Sequence, residues 1–125
     1  MSHKLVWRST DRVLTLTLTG EVSLMDFVNV SDDIDVMLGS VTDPLVLIVD
    51  TENVRLSRNG LSQARSTPTY MERRLVEHLL IVANDKIIRL TLLVVFNVNR
   101  PVLRFFDHMD QAEYYLRTAV RQSMR

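Results

Sequence analysis

The clearest signal along the chain is a change in hydrophobic period. Residues 13–19, VLTLTLT, alternate leucine or valine with threonine, the period of two that a half-buried strand shows. Residues 4–8 carry a shorter strand pattern, and residues 9–12 join the two as a hairpin turn. The later runs differ in kind. LVLIV at 45–49 and LLIVA at 79–83 are unbroken apolar stretches, closed by Asp50 and by Asn84–Asp85, as expected of parallel strands covered on both faces. Residues 102–106 make one more strand.

Helical signals fill the gaps. Gly20 is expected to break its strand, and Ser23 with Asp26 three residues on forms a capping box. The helix it opens should run to Leu38 and end with Gly39 in the left-handed conformation. Leu24, Phe27, Val28, Ile34 and Leu38 give it an apolar face, while Asp26, Asp32, Asp33 and Asp35 make its polar face acidic. Residues 51–66 read as irregular. Thr67 as cap and Pro68 at the first helical position then begin a helix to about Glu77, because proline fits a first turn and not a helix interior. Residues 85–97, DKIIRLTLLVVFN, have strand-like composition, but two neighbouring parallel strands need a crossover between them, so they are read as helix. Asp107 or Asp110 caps a last helix whose apolar side holds Met109, Ala112, Leu116, Ala119 and Val120. The order ββαβαβαβα describes a single α/β domain over 1–125, with an N-terminal antiparallel hairpin on a mixed, mostly parallel sheet.

The 85–97 helix changes this picture. A helix offers only a stripe to each neighbour, yet this one is apolar nearly all round, so its surplus needs cover from a second copy or from a lipid-like ligand. A homodimer is the expectation. Composition adds bounds: 125 residues suffice for one core, and the absence of cysteine excludes disulfides and thiolate chemistry and suits the cytoplasm. The first ten residues lack the apolar segment of a signal peptide, and the apolar run at 90–96 is too short to span a bilayer. Net charge is zero, but residues 1–53 carry nine acids against three bases and the remainder twelve bases against six acids. Kept apart in space, such halves would suit a polar protein partner.

In order and spacing, VLTLTLTGEVSLMDF, PLVLIVDTENV and RNGL resemble the STAS domain of anti-sigma-factor antagonists. RPVLRFFDHMDQAEYYL is similar to the terminal strand and helix of its SpoIIAA-like branch. The resemblance implies a non-enzymatic regulatory module that binds a protein partner, with no cofactor, through the loop Ser57, Arg58, Asn59 and Gly60. It also marks a departure. The family's D-S-S-G loop carries a serine that a partner kinase phosphorylates, and here the two serine positions hold Arg58 and Asn59. The classical switch is therefore missing. The SpoIIAA-like branch, which resembles lipid-carrying SEC14-type domains in layout, implies the alternative of an apolar-ligand carrier with peripheral membrane contact.

Catalytic and metal chemistry find little support. His3, His78 and His108 fall in different elements without a ligand-spaced partner, and there is no nucleophile elbow or phosphate-binding glycine loop. Asp50 closes a strand without a nucleophile or base beside it. The arginines at 55, 58, 65, 73 and 74 lack the interleaved aromatics of a nucleic-acid platform. As a carrier, the chain would use Leu56, Leu61, Ile87, Ile88, Leu92, Val95 and Phe96 as its apolar ligand or dimer surface. The 51–66 segment would act as a mobile lid, with Arg55, Arg58 and Arg65 facing anionic headgroups.

Overall fold

The structure, a computed structural model, describes residues 2–8, 12–39, 41, 43–56, 76–95 and 102–120. Its elements in order are β1 (Ser2–Arg8), β2 (Val13–Val22), α1 (Leu24–Leu38), β3 (Leu45–Leu56), β4 (Val76–Val82), α2 (Lys86–Val95), β5 (Val102–Phe106) and α3 (Met109–Tyr115), the last continuing as a π-helical turn over Leu116–Val120. The five strands form one sheet in chain order. β1 pairs antiparallel with β2 as a hairpin, and β2 to β5 run parallel. The fold is thus α/β with a mixed sheet, as the alternation of patterns predicts.

The apolar runs are central because both of their faces are covered. Leu45, Leu47 and Val49 of β3 join Leu79 and Ile81 of β4 in a core roofed by Phe27, Ile34 and Leu38 of α1 and by Ile88 and Leu92 of α2. The alternate residues Val46, Ile48, Leu80 and Val82 face the other way, under Ala112 and Leu116. β2 sends Leu14, Leu16 and Leu18 into the first core, while its other face is covered only near its start, where Val13 packs on the second core and Thr15 is buried, and Thr17 and Thr19 farther along are half-buried.

α1 begins as its sequence requires. The Ser23 hydroxyl accepts from the Asp26 N–H at 3.2 Å, and the Asp26 carboxylate accepts from the Ser23 N–H at 2.8 Å. α2 is capped by Asp85, whose Oδ1 accepts from the N–H groups of Ile87 at 2.7 Å and Ile88 at 3.3 Å.

Several boundaries differ from the sequence reading. β2 does not stop at Gly20. The glycine takes φ 88° within the strand, and pairing continues to Val22 opposite Leu56. Gly39 is right-handed at φ −61°, ψ −23°, its N–H bonded to the carbonyls of Asp35 and Val36, so α1 ends without a left-handed cap. Neither Asp107 nor Asp110 caps α3. That position belongs to His108, and the Gln111 side chain accepts from the N–H groups of Asp107 and His108. β4 starts at Val76, inside the helix expected to reach Glu77, because Val76 is buried against the first core. The remainder of that helix, 68–75, lies outside the described residues.

The largest difference is β3. It continues through Leu56, where irregular chain was expected after Asp50. Thr17 pairs with Asp50 but Thr19 with Asn53, so β3 carries one residue more than β2 across that interval. Asp50 Oδ1 accepts from the Glu52 N–H at 3.0 Å, and the Thr51 hydroxyl donates to the Val82 carbonyl at 2.7 Å. These bonds hold a bulge. Beyond it the alternation inverts, and Val54 and Leu56 pack on the first core although Val46 and Ile48 serve the second.

Candidate functional site

The bulge makes the carboxyl edge of the sheet the most chemically dense region described. Glu52 reaches across to the start of α3, where its Oε1 lies 2.8 Å from His108 Nδ1 and its Oε2 accepts from the Met109 N–H at 3.4 Å. The His108 hydrogen bond holds Glu52 below its ordinary range, assisted by the Met109 N–H, and the same bond raises His108. Asp50 behaves oppositely. Burial pushes its carboxyl up, and the Glu52 N–H offsets this in part. His78, buried on β4, is pushed down by burial, and its Nδ1 has no partner among the described residues.

The Glu52–His108 bridge has a defined pH signature. His108, raised in the fold, contributes stability fully below its ordinary value of 6.5 and loses it as pH rises through the elevated folded value. Glu52, lowered, contributes above its ordinary value of 4.5 and loses it as pH falls through the depressed one. The bridge is therefore strongest between those two ordinary values. Urea denaturation of the parent and of Glu52→Gln should differ most between pH 4.5 and 6.5, and the difference should shrink as pH rises through the raised His108 value; a difference that stays constant with rising pH would show that the bridge does not couple to stability.

Two clefts adjoin this edge. One of about 450 Å³ lies over Gly20, Glu21, Glu52, Asn53, Val54 and Arg55 at the ends of β2 and β3. A larger one of about 760 Å³ lies between the end of β5 and α3. Arg89 of α2 braces it: Nε donates to the Ala83 carbonyl at 2.6 Å, Nη2 meets Asp107 at 2.8 Å, and the guanidinium sits 5.3 Å from the Phe105 ring centroid. Neither cleft assembles a nucleophile with a base and an oxyanion donor, and no cluster among the described residues could hold a metal ion.

The residues singled out from sequence scatter. Ser57, Arg58, Asn59, Gly60, Leu61, Arg65 and Phe96 lie outside the described residues, as does the Val95 side chain. Ile88 and Leu92 of α2 point inward and are buried in the first core. Ile87 faces out, with Leu90 and Leu93 in line beside it. Leu56 is paired with Val22 and packed on the core, which removes the near end of the proposed lid. Arg55 is exposed beside the smaller cleft. Sequence reading passed over Glu52 and Arg89. Their roles depend on partners 56 and 18 residues away, His108 and Asp107, which no local pattern announces.

Among the described residues, two helices lie on one face of a five-stranded mixed sheet and one on the other, the layout of a SpoIIAA-like fold. The chain is similar to the crystal structure of an uncharacterised DUF3478-family protein with a SpoIIAA-like fold from Shewanella loihica PV-4, with 14% identity over 92% of each chain and a TM-score of 0.54. At that identity the likeness is one of fold. No protein-family model and no curated protein matches the chain. Among the described residues, no helix is long and apolar enough to cross a membrane.

Proposed function

We propose that the protein is a non-enzymatic interaction module that works by binding another protein through the face formed by α1 and α2. The observation that carries this is the outer stripe of α2. Ile87, Leu90 and Leu93 are 44%, 64% and 37% exposed, while Ile88, Thr91 and Leu92 on the other side are buried. α1 packs beside α2 and turns Asp32 to solvent together with Met25 and Val36, while Asp33 lies 3.5 Å from His3 on β1. An apolar ridge next to an acidic helix matches a partner that presents apolar side chains flanked by lysine or arginine. Three side chains alone cover far less than the roughly 1,200 Å² that a stable complex buries, so the partner must engage α1 as well. A second copy would bring one acidic helix towards another, which disfavours the homodimer as the occupant.

The carrier reading is weakened, because two of the side chains assigned to its pocket wall, Ile88 and Leu92, are spent in the core. Native mass spectrometry of the chain isolated from its cells of origin separates the readings. The expected result is a stoichiometric adduct of a different protein that is lost in Leu90→Glu, a change on an exposed position that leaves the core intact. Loss of one central apolar contact should weaken binding about thirtyfold or more. A mass of exactly two copies, or an extractable apolar small molecule retained in Leu90→Glu, would overturn the proposal.

A further inference from the structure

The geometry points to a second docking site, at the open edge of β5, for an extended peptide segment of a partner protein that carries a lysine or arginine between apolar residues. It goes beyond the α1–α2 reading and uses a different part of the molecule. β5 is last in the sheet, and among the described residues no strand lies on its outer side. The Phe106 carbonyl accepts from the Ala83 N–H at 2.9 Å and so faces β4. Backbone groups alternate along a strand, and Leu103 and Phe105 therefore turn theirs outward. Arg104 folds back so that Nη1 donates to the Leu103 carbonyl at 3.0 Å, a charged guard of the kind that protects sheet edges. Among the described residues nothing pairs with the outward N–H and carbonyl of Phe105. That is where a peptide strand can add.

The same point opens into the larger cleft. Because Phe105 and Phe106 are consecutive in a strand, their rings leave on opposite faces, and the cleft wraps the sheet edge between them. Its far wall is α3, with Tyr114 exposed and Tyr115 tilted against Phe106 at a centroid distance of 5.6 Å. Arg89, held by three contacts, is already committed to Ala83, Asp107 and Phe105, so it stiffens the wall and neutralises one carboxylate. Asp110 on the first turn of α3 adds a second carboxylate to the cleft lining, one that also acts on His108, so the lining carries Asp107 and Asp110 against Arg89 alone. Aromatic walls with a single net negative charge at the rim select a long aliphatic stem that ends in a cation. Backbone pairing to β5 would set the direction of the peptide, and the cleft would choose the side chain, the division of labour usual in strand addition.

Selection of random dodecapeptides displayed on phage against the full chain tests this. Enriched peptides should carry lysine or arginine with apolar residues two positions to either side. A synthetic peptide of the enriched sequence should shift the amide resonances of Leu103, Phe105 and Tyr114 and slow hydrogen exchange at the Phe105 N–H. Asp110→Lys should weaken its binding at least tenfold and Asp110→Asn by a smaller factor, while Leu90→Glu should leave it unchanged. Absence of enrichment would overturn the site. So would peptides indifferent to Asp110→Lys, shifts confined to α1, or arginine amide alone binding as tightly as the peptide. Loss of binding in Leu90→Glu would instead merge this site with the α1–α2 face and end its independence.

Discussion

Replacing Phe27 with alanine is expected to lower the unfolding free energy by about 3–5 kcal/mol, the cost of emptying a large aromatic site in a packed core. Phe27 is fully buried and, among the described residues, is the largest of the fully buried side chains. It lies one turn into α1 and joins that helix to strand residues of β2, β3 and β4 in the first core. The neighbours belong to different elements and relax only in part, so the cavity term adds to the lost burial. Measured as the midpoint of urea denaturation at unchanged slope, the loss would take most of the margin of a domain whose total stability is of order 5–15 kcal/mol. Phe27→Leu, which keeps much of the volume, should cost far less. Equal losses from both variants would show that the aromatic fill is not what holds α1 down.

Leu80→Ala is the second large effect, expected at about 2–5 kcal/mol. Leu80 is fully buried in the other core, in register with Ile48 and in one cluster with Ala112 and Leu116 of the C-terminal helix. Trp7 on β1 packs at the edge of the first core and reports from across the sheet. If the two cores form one cooperative unit, Trp7 fluorescence and far-ultraviolet circular dichroism will fall together in the variant. An earlier loss of helical signal would mean that α3 detaches by itself and that the β5 edge and its cleft sit on a separable unit.

Much of the architecture was legible because its causes are local. The leucine–threonine alternation at 13–19, the two unbroken apolar runs and the Ser23–Asp26 box each specify their own element through short-range geometry. The residues 86–95 illustrate a different inference: their composition favours a strand, but the connection between parallel β4 and β5 demands a crossover, and they are helical. Topology overrode propensity there, and the override was itself readable from the neighbouring strands.

The β3 bulge was not readable. DTENVRL after the apolar run looks like loop because it is polar and charged. It is strand because β2 continues past Gly20 and supplies a partner from Thr19 to Val22. Side chains at 52, 53 and 55 are polar because they lie beyond the covered part of the sheet, and an extra residue exchanges the faces of those that follow. The same applies to the apolar surplus of α2. The sequence by itself determined that the helix carries more hydrophobic residues than one sheet face accepts. Only the tertiary structure decided which are spent inward, Ile88 and Leu92, and which remain outward, Ile87, Leu90 and Leu93. Helical rotation relative to the sheet is set by packing against α1 and β4, a property of no single segment. The Glu52–His108 and Arg89–Asp107 pairs were out of reach for the same reason: a charge seeks its partner through space, and the chain between them records nothing of that distance.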